Sequence, residues 1–362
     1  MPLKIIIAYA SAGSGHYRAA EAIYYHLKKN YPELEARIVD ILEYTNFIFA
    51  KLYCRGYHLL ATHLRFIWAI CFHLTNLKYF SWTFNALCRL NCWRFKEMLI
   101  INQPDIILST HFFPTDVVAN LKKKHQVNSH LVTIITDFGL HALWTLGKSD
   151  RYIVASEYTH SRLITTGINR EKIRVIGIPV RPNFSAKYTK DKTKDGFVGM
   201  VITGSFGWPL IEKIVDLLHS EIKLLVICGN NLRLYNRLKR KHYNNTRLFK
   251  ITKDIPRLMA EADVIITKSG ALTIAESLAM ELPLIFIYSI PGQETVNARV
   301  LQARGCAIIP RSLRSLKDII IDLKSNPEKI DLMRTNIRSF KNPSVTEEVC
   351  RFITEDVCTG SI

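Results

Sequence analysis

From residue 44 to residue 96 the chain has no aspartate or glutamate. A solvated face ordinarily mixes both signs, and core packing alone does not account for so long an absence. The chain also lacks any run of about 20 apolar residues, which excludes a membrane-spanning helix at the sequence level. It contains no Asp-x-Asp, no His-Glu-x-x-His and no Gly-x-Ser-x-Gly, so neither a metal site nor a serine-hydrolase site has support. Its eight cysteines lack metal-binding spacing. Cys88 and Cys92 are one helical turn apart, and no second pair sits at zinc-finger distance, so buried thiols in a reducing compartment are expected. The start, Met1-Pro2-Leu3-Lys4, lacks the basic region and longer apolar stretch of a signal peptide. These absences predict a soluble or membrane-peripheral cytoplasmic protein.

The net charge is +18 over 362 residues, so an anionic partner is expected: nucleic acid, anionic lipid or a phosphorylated substrate. Residues 1–180 carry 21 Lys and Arg against 12 Asp and Glu, and residues 181–362 carry 28 against 19, so each half is +9. Net charge therefore does not locate the partner.

Strand-like runs alternate with helical stretches. The first half offers 3–10, 36–41, 105–111, 130–136 and 151–155, and the second 199–203, 223–228, 263–267, 282–288 and 306–310. Many are continuous Ile, Val and Leu, the mark of parallel strands covered on both faces. Residues 181–196 are rich in Lys, Asp, Thr and Pro and read as a linker. The fold expected is α/β with two doubly wound, Rossmann-like domains, 1–180 and 197–340, and a C-terminal helix in 341–362 that returns to the first. Ligands of such sheets bind at the carboxyl ends of strands, here in a cleft between the domains.

The acid-free stretch holds seven Lys and Arg and 14 aromatic residues, Phe66, Trp68, Phe72 and Trp82 among them. Basic residues with Trp and Phe suit an anionic lipid interface. The alternative is helices packing on the first sheet.

Five stretches carry candidate chemistry. Gly13-Ser14-Gly15-His16 follows the first strand and opens a helix, where glycines permit tight turning and close approach and the helix start attracts anions. Arg18 stands where a dinucleotide fingerprint needs its third glycine, so that match is weak. His16 can take a proton from an acceptor hydroxyl, or it caps or packs the turn. Asp137 ends a strand, either as a second candidate base or orienting group, or as the cap of the next helix. Arg181 lies at the domain junction, reaching a phosphate or only solvent. Ser205 sits in a Gly-Ser-Phe-Gly turn after the first strand of the second half. The most specific stretch is Ser269, Gly270, Ala271, Leu272 and Thr273, where small residues expose a helix start to a diphosphate and Glu276 lies in reach of a ribose diol. Gln293, Glu294 and Asn297 follow, with amide and carboxylate groups matched to sugar hydroxyls.

Together these residues resemble the GT-B glycosyltransferases of the family that holds the peptidoglycan N-acetylglucosaminyltransferase. The likeness is greatest to its glycolipid branch, the monogalactosyldiacylglycerol synthases and processive diacylglycerol glucosyltransferases. It runs over nearly the whole chain and rests on Gly13-Ser14-Gly15-His16, Thr136-Asp137-Phe138, Gly177-Ile178-Pro179-Val180-Arg181-Pro182 and Pro291-Gly292-Gln293-Glu294. Ser269-Gly270-Ala271-Leu272-Thr273 looks like the peptidoglycan enzyme instead, so this donor turn and the N-terminal motifs point to different branches of the family.

The resemblance implies inverting, metal-independent hexosyl transfer from a UDP-sugar, with no cofactor, to diacylglycerol or a related glycolipid. It implies His16 (or Asp137) as base and Gly13, Ser14 and Gly15 as the acceptor-side loop. Arg181, Ser205 and residues 269–273 would hold the diphosphate, Glu276 the ribose, and Gln293, Glu294 and Asn297 the donor. The partners expected are a UDP-sugar, a lipid acceptor and an anionic membrane on the inner face of the plasma membrane, not nucleic acid. The competing expectations are an N-acetylglucosaminyl transferase for a polyprenyl-linked acceptor, a nucleotide-sugar 2-epimerase, and a scaffold without UDP affinity.

Overall fold

The computed structural model describes residues 2–11, 13–184, 196–203 and 210–356, with the side chains of Thr62 and Lys78 left aside. The chain divides into two compact units: Met1–Pro182 with Pro291–Gln293 and Ser344–Ile362, and Asn183–Ile290 with Glu294–Pro343.

The first unit runs β1 (Lys4–Tyr9), α1 (Ser14–Asn30), β2 (Glu35–Asp40), α2 (Phe47–Thr62), α3 (Arg65–Leu74), α4 (Lys78–Leu90), α5 (Trp93–Asn102), β3 (Ile106–Ser109), α6 (Phe112–Lys123), β4 (His130–Ile134), α7 (Leu143–Leu146), β5 (Arg151–Val154), α8 (Glu157–Thr165) and β6 (Ile173–Val175). Its six strands are all parallel, in the order β2-β1-β3-β4-β5-β6. Side chains alternate across the sheet. Ile5, Ile7, Ile106 and Leu108 pack with Ala20, Ile23 and Leu27 of α1. Ile6, Ala8 and Ile107 face the other way, onto Cys88 of α4, Phe95 and Leu99 of α5, and Phe113 and Val117 of α6. Burial on both faces explains the unbroken apolar strands.

The second unit runs β7 (Val198–Ile202), α9 (Ile211–Leu218), β8 (Lys223–Ile227), α10 (Leu232–Arg240), β9 (Thr246–Phe249), α11 (Ile255–Glu261), β10 (Val264–Lys268), α12 (Ala271–Ala279), β11 (Leu284–Tyr288), α13 (Gln293–Ala303), β12 (Ala307–Ile308), α14 (Leu313–Ser325) and α15 (Pro327–Phe340). Its strands are again all parallel, in the order β12-β11-β10-β7-β8-β9. This is the doubly wound arrangement, with the chain reversing direction between β7 and β10. Helices α9, α14 and α15 cover one face through Ile214, Leu218, Leu316, Ile320 and Ile330.

The chain then re-enters the first unit with α16 (Val345–Arg351), whose Val349 and Cys350 join the Ile5, Ile23 and Leu27 cluster. Gly177 permits this seat: its φ of +124° is left-handed, and a Cβ there would lie 2.8 Å from Val345 Cγ2. Val180 and Thr346 are tied twice. The Thr346 hydroxyl donates to the Val180 carbonyl at 2.7 Å, and the Val180 N–H donates to Thr346 Oγ1 at 3.1 Å.

Strands β6 and β9 were not expected from the sequence. Both are short and interrupted by Arg174 and Arg247, so neither carries a continuous apolar run. Among the described residues no helix is long and apolar enough to cross a membrane.

Candidate active site

The first sheet reverses direction between β1 and β3, and the carboxyl ends of these strands and of β4 carry the first cluster. Asp40, at the end of β2, accepts from the backbone N–H of Ser11 at 3.2 Å and fixes the turn after β1. The turn enters α1 through Gly13, whose φ of −160° is extended backbone open to any residue. A Cβ at Gly13 would meet nothing within 4 Å. The glycine is therefore not needed for tight turning, as the sequence suggested; it leaves bare backbone at an open approach. The N-cap Gly13 makes no side-chain bond to α1, and the first turn has no acid, so among the described residues the N–H groups around Ser14 and Gly15 remain an anion-attracting end.

His16 lies in that first turn, half-buried. Its Nδ1 is 2.8 Å from the carbonyl oxygen of Thr110. A carbonyl only accepts, so Nδ1 carries the proton and Nε2 keeps the lone pair. The Thr136 hydroxyl lies 2.9 Å from the same Nδ1 and donates to the same carbonyl at 3.3 Å. The Thr110 hydroxyl donates to the His16 carbonyl at 3.0 Å. Burial pushes His16 down to about 4, against a smaller upward pull from the Thr110 carbonyl. At neutral pH the ring is uncharged and Nε2 carries the lone pair.

His111 was missed by the sequence reading. Its ring meets that of His16 edge-on at 4.5 Å between centroids. His111 Nδ1 accepts from the Phe113 N–H at 3.1 Å and caps α6, so its proton sits on Nε2. Burial, then the neighbouring His16, hold it well below the ordinary histidine range. Its position at the carboxyl end of a strand adjoining β1 was the available signal.

Asp137 is buried just beyond β4, in the segment that also supplies Thr136. It is not the cap of the next helix: α7 starts after Ala142, with no side-chain cap. The segment is held from behind, where Ser156 and Thr159 hydroxyls both donate to the Phe138 carbonyl, at 3.3 and 2.8 Å. Arg181 lies over α1, with Nη1 3.9 Å from Glu21 Oε2, while Tyr17 OH donates to Glu21 Oε1 at 3.1 Å.

The acid-free region forms α2 to α4 and the first turn of α5. Phe66 is 80% exposed and Trp82 57% exposed, and α3 buries none of its residues. Trp68 and Phe72, expected alongside them at a lipid face, are instead half-buried. Trp68 packs edge-on against Tyr57 at 5.3 Å, and Phe72 lies 4.5 Å from the His141 ring. His141 Nε2 donates to the Phe72 carbonyl at 3.1 Å, and Asn76 Oδ1 accepts from the Ala142 N–H at 2.9 Å. These bonds dock α3 on the loop that follows Asp137. A shallow groove of about 570 Å³ follows α3, lined by Phe66, Ala69, Ile70, His73, Leu74, Asn76 and Leu77.

In the second unit the ends of β10 and β11 are stitched together. Ser269 Oγ and Ser289 Oγ share a hydrogen bond of 2.5 Å, and Asn297 Nδ2 donates to the Ser269 carbonyl at 3.3 Å. Gly270 caps the start of α12 without a side-chain bond, and the first helical bond runs from the Ile274 N–H to the Gly270 carbonyl. The N–H groups of Ala271, Leu272 and Thr273 thus form an anion-attracting end. Glu276 is buried one turn further on. Asn297 is fully buried, so its amide shapes the Ser269 turn. Glu294 is 5% exposed, accepts from the Ile290 N–H at 2.9 Å and pairs with Lys268, a residue to which the sequence reading gave no role. Gln293 opens α13 within the short segment that falls with the first unit. Ser205 lies outside the described residues.

Residues 16–180 match the family model described as monogalactosyldiacylglycerol (MGDG) synthase, and residues 200–348 match that of the glycosyltransferase family 28 C-terminal domain. The chain is a GT-B glycosyltransferase. This enzyme is 26% identical over 376 residues to a processive diacylglycerol beta-glucosyltransferase of Bacillus pumilus, covering 97% of this chain and 94% of that one. Among solved structures it is similar in fold to MurG of Acinetobacter baumannii, with a TM-score of 0.63 at 14% identity, covering 98% of this chain and all (100%) of that one. A putative UDP-N-acetylglucosamine 2-epimerase of Listeria monocytogenes gives a TM-score of 0.65 at 12% identity, over 99% and 98% of the two chains. At such identities the likeness is one of fold, shared by transferases and epimerases alike.

Proposed function

We propose that this glycosyltransferase transfers a hexosyl group from a UDP-sugar to diacylglycerol, or a related glycolipid, with inversion and without a metal. The observation that carries the reading is the fixed tautomer of His16, which leaves Nε2 as a neutral acceptor beside an uncapped helix start. His16 Nε2 takes the proton of the acceptor hydroxyl as that oxygen bonds to the anomeric carbon and the bond to UDP breaks. The charge on the departing UDP is taken up by the N–H groups at the start of α12. Asp137 orients the acceptor, and Glu276 binds the ribose. The relatives named as diacylglycerol glucosyltransferases support the acceptor class.

The membrane part of the reading is supported by the exposed apolar residues of α2 to α4, including Phe47, Leu52, Phe66, Trp82 and Leu90, in a stretch without an acid. Such a surface lies on an anionic bilayer without spanning it. The enzyme then works as a peripheral protein on the inner face of the plasma membrane.

The test is incubation with radiolabelled UDP-glucose, UDP-galactose or UDP-N-acetylglucosamine and vesicles carrying diacylglycerol or a polyprenyl-linked acceptor. Thin-layer analysis identifies the product lipid, NMR its anomeric configuration, and a parallel series with chelator tests metal dependence. Labelled product in the polyprenyl arm alone refutes the diacylglycerol reading. Interconversion of UDP-sugars in the absence of lipid would make the protein an epimerase.

A further inference from the structure

Lys268 ends β10, and its ammonium lies over the start of α12. A Cβ placed on Gly270 would be 3.2 Å from Lys268 Nζ and 3.6 Å from Glu294 Oε1. The cation therefore sits at the positive end of a nine-residue helix whose N-cap, Gly270, offers no side-chain bond. That is the wrong end of a helix for a cation. It is tolerated because Glu294 pairs with Lys268. Glu294 itself stands in the first turn of α13, where a carboxylate is favoured, and its second oxygen accepts from the Ile290 N–H. The Lys268 side chain is 27% exposed and that of Glu294 6% exposed, so the ammonium is reachable from solvent and the carboxylate is the anchored partner.

We propose that Lys268 is a ligand for the diphosphate of the donor and that Glu294 holds it neutralised until the donor arrives. An anion at the start of α12 meets the helix end, the bare Gly270 backbone and the ammonium together. It competes with Glu294 for Lys268, and the cost of breaking the pair is charged against binding. The inference rests on the UDP-sugar reading and adds to it both a phosphate ligand and a restraint on donor affinity. The alternative is that the pair only staples the β10 and β11 turns together.

The two accounts differ in sign. If Lys268 is a restrained phosphate ligand, Glu294→Gln frees it and tightens UDP binding about threefold, the range of a partly exposed ion pair. Lys268→Ala weakens UDP binding about 10- to 100-fold, as for a hydrogen bond to a charged group, and Lys268→Arg retains most of it. Glu294→Gln then has no effect in the Lys268→Ala background. Uridine, which lacks the diphosphate, binds wild type and Lys268→Ala alike. Titration calorimetry on the full chain reads all of these, and thermal unfolding shows which variants are folded. Weaker UDP binding in both single variants, or equal losses for UDP and uridine, overturns the proposal in favour of the staple, as does Glu294→Gln with unchanged affinity. A wild-type protein that fails to bind UDP overturns the donor reading itself, a distinct result.

Discussion

His16 and Thr110 meet through an Nδ1-to-carbonyl hydrogen bond of 2.8 Å that joins the turn after β1 to the end of β3. Because the carbonyl accepts, the proton is pinned on Nδ1 and the basic lone pair on Nε2. On this arrangement, His16→Ala is expected to lower kcat about 10²- to 10⁴-fold while UDP affinity stays near normal. Single-turnover kinetics with titration calorimetry checks it, and near-normal turnover removes His16 from the base role.

The same geometry sets a pH dependence. With His16 held down to about 4 by burial, its neutral form persists well below the ordinary histidine range. The acid limb of the kcat/KM profile should fall as pH drops through about 4, not through 6.5, wherever the protein remains folded. Stability has the same sign: the unfolded chain takes up this proton at higher pH than the folded one, so acidification favours unfolding. Replacing Thr136 by Val removes the hydroxyl that shares Nδ1, and should lower kcat with little change in donor KM.

Gly177→Ala should destabilise the first unit by about 2 kcal/mol, through a left-handed φ and a clash with Val345. Adding Val345→Ala should recover the packing part and not the backbone part. Denaturant unfolding of both variants separates the two, and equal stability to wild type refutes the account.

Arg89 binds both oxygens of Asp116, at 3.1 and 3.0 Å, between α4 and α6. Burial raises the Asp116 carboxyl, and Arg89 is the largest influence opposing it. Arg89→Ala should cost about 3 kcal/mol by removing the main partner of a buried carboxylate, which keeps only Asn85 and the more distant Lys96. The raised Asp116 then gains stability from protonation, so the deficit should shrink on acidification; a deficit constant with pH contradicts this. Arg89→Met with Asp116→Leu should restore most of the loss.

Phe66→Ser with Trp82→Ser should weaken partition onto anionic vesicles by at least about tenfold, given about 1.5–3 kcal/mol per buried aromatic side chain. Flotation checks it, with thermal unfolding near wild type. Phe72→Ala is expected to act differently, lowering stability and turnover, because the Phe72 ring packs on His141 in the loop after Asp137. Equal effects from the two sets on both readouts would contradict the division.

Much of the architecture was legible because strands such as Lys4–Tyr9 and Val264–Lys268 are buried on both faces, which forces unbroken apolar runs into the sequence. Strands β6 and β9 carry no such mark because Arg174 and Arg247 interrupt them, whereas the other two edge strands, β2 and β12, were legible. The turn at Ser269 and Gly270 was legible from its small residues, and His16 from its place after a glycine loop. What the sequence by itself determined was thus the periodicity, the two domain families, the acid-free stretch and the residue types at strand ends. Only the tertiary structure decided which nitrogen of His16 is basic, that His111 lies against it, that Trp68 and Phe72 pack inward while Phe66 and Trp82 stay out, and that Lys268 faces Glu294 over Gly270. Each of these depends on residues brought together from separate strands and helices, and hydrogen-bond partners and burial are properties of that meeting, which no local pattern encodes.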